Sequence, residues 1–179
     1  MIIPDYGKLW NDMVVKEESK SALQTIANKL LLYKERYEEV ANIIGCPWYF
    51  IAPIHYRESS IDFKAVLHNG EEIVGTDKKT SLVPKGRGPF ATWQDAAVDA
   101  LTIEGFKEIS NWSIANILNL WNNYNGVGYV KYHNMLSPYV FSGSNLYQKG
   151  KYSSDGHFNP DLVDKQLGCA PILKYIIDK

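Results

Sequence analysis

The stretch Pro47-Trp-Tyr-Phe-Ile-Ala-Pro-Ile-His-Tyr-Arg-Glu-Ser59 constrains the fold of this chain more than any other. A helix over roughly residues 47–59 is apolar almost all round. It has no face to offer to water and belongs at the centre of a core. Gly45 ends the helix before it, and Pro47 suits a first helical turn. Pro53 predicts a kink or a locally missing hydrogen bond. The character then changes abruptly to His55, Arg57, Glu58, Ser59 and Ser60. A buried helix that delivers a carboxylate at its end reads as a functional arrangement.

The rest of the chain supplies helices around it. Residues 1–16 read as an irregular N-terminal arm or a short helix. From Lys16 to Gly45, Leu23, Ile26, Ala27, Leu30, Tyr37, Val40, Ala41 and Ile44 recur at helical steps. Residues 61–91 lack that period. There, Phe63–Leu67 and Glu72–Gly75 predict a small hairpin turning at Asn69-Gly70. Thr92 is an N-cap with Asp95 three residues on, heading a helix from Trp93 to about Phe106, with Ala96, Ala97 and Ala100 on a close-packing face. A further helix runs from Trp112 to Tyr124, burying Ile117, Leu118 and Trp121. A segment rich in Tyr, Ser, Gly and Asn follows over 129–159. Asn159-Pro160 is then expected to open a final helix, Asp161 to Ile177, interrupted at Pro171. With no repeat, low-complexity tract or linker, residues 1–179 read as a single domain. The expected class is mainly α (α+β).

Composition narrows the chemistry. A net charge of −1 argues against a general nucleic-acid binder. Lys78, Lys79, Lys85 and Arg87 form the one basic cluster, read first as a solvated loop and second as a patch facing an anionic wall. No apolar run reaches membrane length, so no membrane insertion is expected, and no secretory leader pattern opens the chain. Cys46 and Cys169 lack metal-ligand spacing and are expected as buried free thiols. His55, His68, His133 and His157 are scattered, so neither a metal nor a cofactor is expected. Gly86-Arg-Gly88 is too short for a phosphate loop. The 12 tyrosines and 5 tryptophans suit a sugar-stacking cleft and equally a packed core. The same two readings apply to Tyr129, Tyr132, Tyr139, Phe141, Tyr147 and Tyr152.

Cleaving a glycosidic bond needs a carboxylic acid kept neutral by apolar surroundings. Glu58, ending a helix with Trp48, Phe50, Ile51 and Ile54, meets that description. The plainer alternative is a partly buried ion pair with Arg57, His55 or a nearby lysine. Beyond that physical reading, Ile54-His-Tyr-Arg-Glu-Ser-Ser-Ile-Asp-Phe63 resembles the first signature of soluble lytic transglycosylases and goose-type lysozymes. Ile117-Leu-Asn-Leu-Trp-Asn-Asn-Tyr-Asn-Gly126 resembles the helix of that superfamily that ends in Tyr-Asn-Gly. Leu67-His-Asn-Gly70, Pro89-Phe-Ala-Thr-Trp93, Ala97-Val-Asp-Ala-Leu101 and Ser137-Pro-Tyr139 are similar to a group of phage and prophage lysozyme-like proteins.

The resemblance implies a lysozyme-like fold with a small β-hairpin next to the active-site cleft. It implies a muramidase acting between MurNAc and GlcNAc, with Glu58 as general acid and Tyr124 and Asn125 in the cleft. His55 and Asn69 are further substrate-binding candidates. The second catalytic group stays open among Asp77, Glu71 and Thr80, with Glu72 and Asp62 also in range. Without one, a lytic transglycosylase becomes the alternative. A chitinase, or a non-catalytic virion or glycan-binding domain on the same scaffold, is the other. The implied partner is the peptidoglycan glycan strand, met by a monomer. The implied setting is the host cytoplasm before release through a holin, or the virion.

Overall fold

The computed structural model describes residues 3–154 and 156–179. The chain is mainly helical, with one small two-stranded antiparallel sheet among the described residues. Asp5 caps α1 (Tyr6–Asp12), its carboxylate accepting from Lys8 N at 2.9 Å. The single helix expected from Lys16 to Gly45 is instead divided. A 3-10 turn at Glu17–Ser19 leads into α2 (Lys20–Leu32), and α3 (Lys34–Ile44) follows a break at Tyr33, where φ is −102° and ψ is 16°. Leu30 and Tyr37 are two helical turns apart, a spacing that one helix and two joined helices satisfy alike. Bonds to the third residue back, from Tyr33 N to Leu30 O and from Arg36 N to Tyr33 O, both 3.1 Å, tighten the junction.

Contacts group the chain into two compact units, one being Leu30–Trp112 and the other the chain up to Lys29 together with Ser113–Lys179. In Leu30–Trp112, α3 packs on both α4 (Trp48–Ser59) and α5 (Trp93–Ile103). The central helix is as apolar as expected: α4 buries every residue from Phe50 to His55 and runs unbroken through Pro53. Thr92 caps α5 as expected, its hydroxyl accepting from Asp95 N at 3.1 Å and donating to the Asp95 carboxylate at 2.7 Å. Ala96, Ala97 and Ala100 form the small buried face of α5, which lets α3 approach. The helix stops short of Phe106, because Gly105 turns left-handed at φ 77° and a 3-10 turn, Phe106–Glu108, takes over.

The hairpin expected over 63–75 shrinks to one antiparallel bridge, Ala65 to Glu72. The turn does fall at Asn69-Gly70, but Asn69 Oδ1 accepts from Glu71 N at 3.1 Å, and this local closure competes with a ladder. The regular strands lie elsewhere, in the other unit: β1 (Lys151–Ser154) pairs with β2 (His157–Asn159), Tyr152 opposite Phe158.

In that unit Ser113 caps α6 (Ile114–Asn125), whose buried face is Ile117, Leu118, Trp121 and Asn122. α6 packs on α1, on α8 (Pro138–Phe141) and on α9 (Cys169–Ile177). α7 (Gly128–His133) supplies His133, which stacks on Phe158 at 3.6 Å between centroids and bonds Tyr152 OH at 2.9 Å. Tyr129, Tyr139, Phe141 and Tyr147 are buried, so four of the six aromatics of that series serve packing, while Tyr132 is exposed.

The final helix begins only at Cys169, not at Asp161. Buried Asp164 holds the intervening chain extended, accepting from Lys151 Nζ at 3.0 Å and from Gln166 N at 3.1 Å, while its own N–H donates to Tyr147 OH at 2.9 Å. Pro171 then sits in the first turn of α9, where a missing N–H is harmless. Both cysteines are free, Cys169 buried and Cys46 half-buried. Burial pushes the Cys46 thiol up to about 12, so it stays protonated.

Candidate active site

Glu58 lies in the last turn of α4 and is half-buried. The backbone after it is unusual. Ser60 and Ile61 both adopt positive φ, at 55° and 66°. A β-branched residue in that region is a rare outlier, and each such residue costs roughly 1–2 kcal/mol. Outliers of this kind concentrate at functional sites. Ile61 is nonetheless 6% exposed, so its side chain goes into the core that the twisted backbone aims it at.

His55 clamps this turn from inside. Its carbonyl accepts from Ile61 N at 3.3 Å and from Ser59 Oγ at 3.2 Å, and its Nε2 meets the Asp62 carbonyl at 3.0 Å. A carbonyl only accepts, so Nε2 carries the proton. A neutral ring then accepts at Nδ1 from Tyr37 OH, 2.9 Å away. Burial drives the Tyr37 phenol far above its ordinary value, so it remains a donor. His55 also stacks among Phe63 and Trp93, with centroids at 4.6 and 4.4 Å. It is 0% exposed. The expectation that His55 faces substrate is therefore corrected: both ring nitrogens are spent inside the core.

The candidates in the 69–87 loop separate in the same way. Glu71 accepts from Ser81 N through both oxygens, from Ser81 Oγ and from Leu82 N. These bonds, led by the Ser81 hydroxyl, hold its carboxyl below the usual range. Ser81 N, Ser81 Oγ and Leu82 N thereby fix the carboxylate in the loop and take three of its roughly four acceptor sites. Buried Thr80 accepts from Arg87 N at 3.0 Å and donates to the Pro84 carbonyl, which ties the loop together. Both side chains are thus engaged in holding the loop together. Asn69 likewise spends its carbonyl oxygen on Glu71 N. Asp62 accepts from Lys64 N at 2.8 Å in a local turn. Asp77 differs from these: it is exposed, with no hydrogen bond or ion pair among the described residues.

Gly70, at φ 80°, sets this loop against α4; a methyl group there would lie 3.8 Å from the Glu58 carbonyl oxygen. Tyr124 and Asn125 belong to the other unit. Tyr124 is half-buried beside Tyr139, with centroids 6.3 Å apart, and Asn125 Nδ2 donates to Ser137 Oγ at 3.3 Å.

One polar cluster has no counterpart in the sequence reading. Asp99 accepts from His68 Nε2 at 2.8 Å and from Arg87 Nε at 2.9 Å, and pairs with the second Arg87 nitrogen. Arg87 thereby leaves the basic cluster and becomes a strut. His68 and Asp99 are 31 residues apart, so no local pattern announces them. The cluster stands over a small core of Val66, Ile73, Phe90 and Ala96, with His68 stacked on Phe90.

Among the described residues, no three His, Cys, Asp or Glu side chains converge as a metal site requires, and no helix is long and apolar enough to cross a membrane. Comparison with protein-family models, with curated proteins and with solved structures finds no significant match.

Proposed function

We propose that this chain is a lysozyme-type glycosidase of peptidoglycan, with a lysozyme-like fold and Glu58 as the proton donor to the β-1,4 bond between MurNAc and GlcNAc. The observation that carries the reading is the turn after Glu58. A helix apolar on every side ends in a half-buried carboxyl, and the chain then bears two left-handed non-glycine residues pinned by a buried histidine. A general acid benefits from such rigidity, because proton transfer depends on fixed geometry. Tyr124 and Asn125 are the proposed glycan-binding partners, on the strength of the Tyr-Asn-Gly resemblance. The test is clearing of purified peptidoglycan. Glu58→Gln is expected to slow it by about 10²–10⁴-fold, the usual share of a general acid. Clearing at the wild-type rate would sink the proposal.

The occupied state of Glu71 and Thr80 favours one second reading. With those two engaged, Asp77 and Glu72 are the remaining loop candidates for a base. A lytic transglycosylase needs none, since a substrate hydroxyl closes on the anomeric carbon. Mass spectrometry of the products separates the two: 1,6-anhydro ends mean transglycosylation, and reducing ends mean hydrolysis.

A further inference from the structure

α6 carries Asn119, Asn122 and Asn123, at the i, i+3, i+4 spacing that shares one helix face. That face lines a pocket of about 460 Å³, together with Pro4, Tyr6 and Val130. The pocket lies within the unit that does not carry Glu58. Asn122 is only 5% exposed, yet its amide has no hydrogen-bond partner among the described residues. The side chains of Asn119 and Asn123 and the Tyr6 hydroxyl have none either. The Asn122 amide is not among the fully enclosed polar atoms, so what little of Asn122 is accessible includes the amide, at the wall of the pocket. Its neighbours Ile117, Leu118 and Trp121 show that apolar residues suit this face, so packing does not call for the amide.

The chemistry of the lining selects a ligand class. Three amides and a phenol supply both donors and acceptors without charge; burial raises the phenol to about 12, so it stays an O–H donor. Lys131 is the one charged side chain of the lining among the described residues. A phosphate ligand calls for more positive charge than that. Amides suit ring hydroxyls and an acetamido group, while Pro4, Val130 and the Tyr6 ring suit the C–H face of a pyranose.

We propose that this pocket is a separate saccharide site that takes an N-acetylhexosamine unit of the glycan. The glycan class rests on the proposed function; the site itself rests on the unmatched amides. The test uses full-length Glu58→Gln, titrated with tri-N-acetylchitotriose and followed by NMR at the side-chain NH₂ groups of asparagine. Saturable shifts at Asn119, Asn122 and Asn123 are expected. Asn122→Leu in the same background should weaken the affinity read at Asn119 and Asn123 by about tenfold, the value of one buried polar contact. Asn123→Ala, at an exposed position that cannot threaten the fold, should weaken the affinity read at Asn119 and Asn122 by about threefold. Absence of saturable shifts at these amides, or unchanged affinity in both variants, would mean a pocket filled by water only and overturn the proposal. Peptidoglycan clearing by wild type is read separately, so loss of the glycosidase reading and loss of the pocket are distinct results.

Discussion

The turn after Glu58 and the turn at Asn69-Gly70 both take the backbone to positive φ, in one unit, by opposite means. The second uses glycine at φ 80°, and the loop around it continues the habit at Gly75, Gly86 and Gly88. Its polar side chains close on nearby backbone: Asn69 on Glu71, Glu71 on Ser81 and Leu82, Thr80 on Arg87. The first turn uses serine and isoleucine, and is held from outside its own sequence by His55 and, through it, by Tyr37. A loop that is cheap locally needs no support from the core. A turn that costs energy locally exists only because the core insists on it.

That contrast can be broken experimentally. The largest effect is expected from His55→Phe, which keeps the ring stacking but removes the bond to Asp62 and orphans the Tyr37 hydroxyl. A loss of about 2–4 kcal/mol should appear in urea unfolding. Clearing should fall beyond what the unfolded fraction explains; a variant that loses stability but clears normally per folded molecule would uncouple the clamp from Glu58. Gly70→Ala comes next. Nothing blocks its methyl group, so only the left-handed cost of about 1–2 kcal/mol should be lost. An equal loss of activity would show that the loop, too, positions the site.

Ser60→Gly should move the other way. Relieving a left-handed serine is expected to gain up to about 1 kcal/mol, seen as a rise in Tm. No gain would mean the turn is not strained at Ser60. The smallest effect concerns acid. Arg87 first, and then His68, hold Asp99 below the usual carboxylate range. Its contribution to stability is full above the unfolded value of about 3.9 and fades as pH falls through the lower folded value. Asp99→Asn should therefore unfold with less pH dependence below pH 4 than wild type; parallel curves would discount the Arg87–Asp99–His68 cluster as a stabilising unit.

The helices were legible where a cap and a period agreed, as at Thr92 for α5. They misled where one signal stood alone. The spacing from Leu30 to Tyr37 fits one helix or two, and Asn159-Pro160 looks like a helix start until Asp164 is seen to be buried and bonded. The place of Glu58 in the last turn of α4 was legible, because the polarity of that helix changes so sharply around it. That His55 turns inward was not, since a histidine one turn away on the same helix can face either way. The strain at Ile61 leaves no trace in composition. The amide face of α6 leaves a trace, three asparagines in helical register, but the same register serves a solvated helix face equally well.

The path of the chain has a consequence for how the molecule is made. The unit bearing Glu58 is one uninterrupted segment, Leu30–Trp112, whereas its companion joins the two ends of the sequence. Val15 cannot find its bridge partner Ser144, nor Lys16 N the Gly143 carbonyl, until most of the chain has left the ribosome. The helices α3, α4 and α5, by contrast, are all available once Trp112 emerges. Synthesis therefore presents the segment carrying the strained turn first, and delays the long-range closures that tend to set the folding rate.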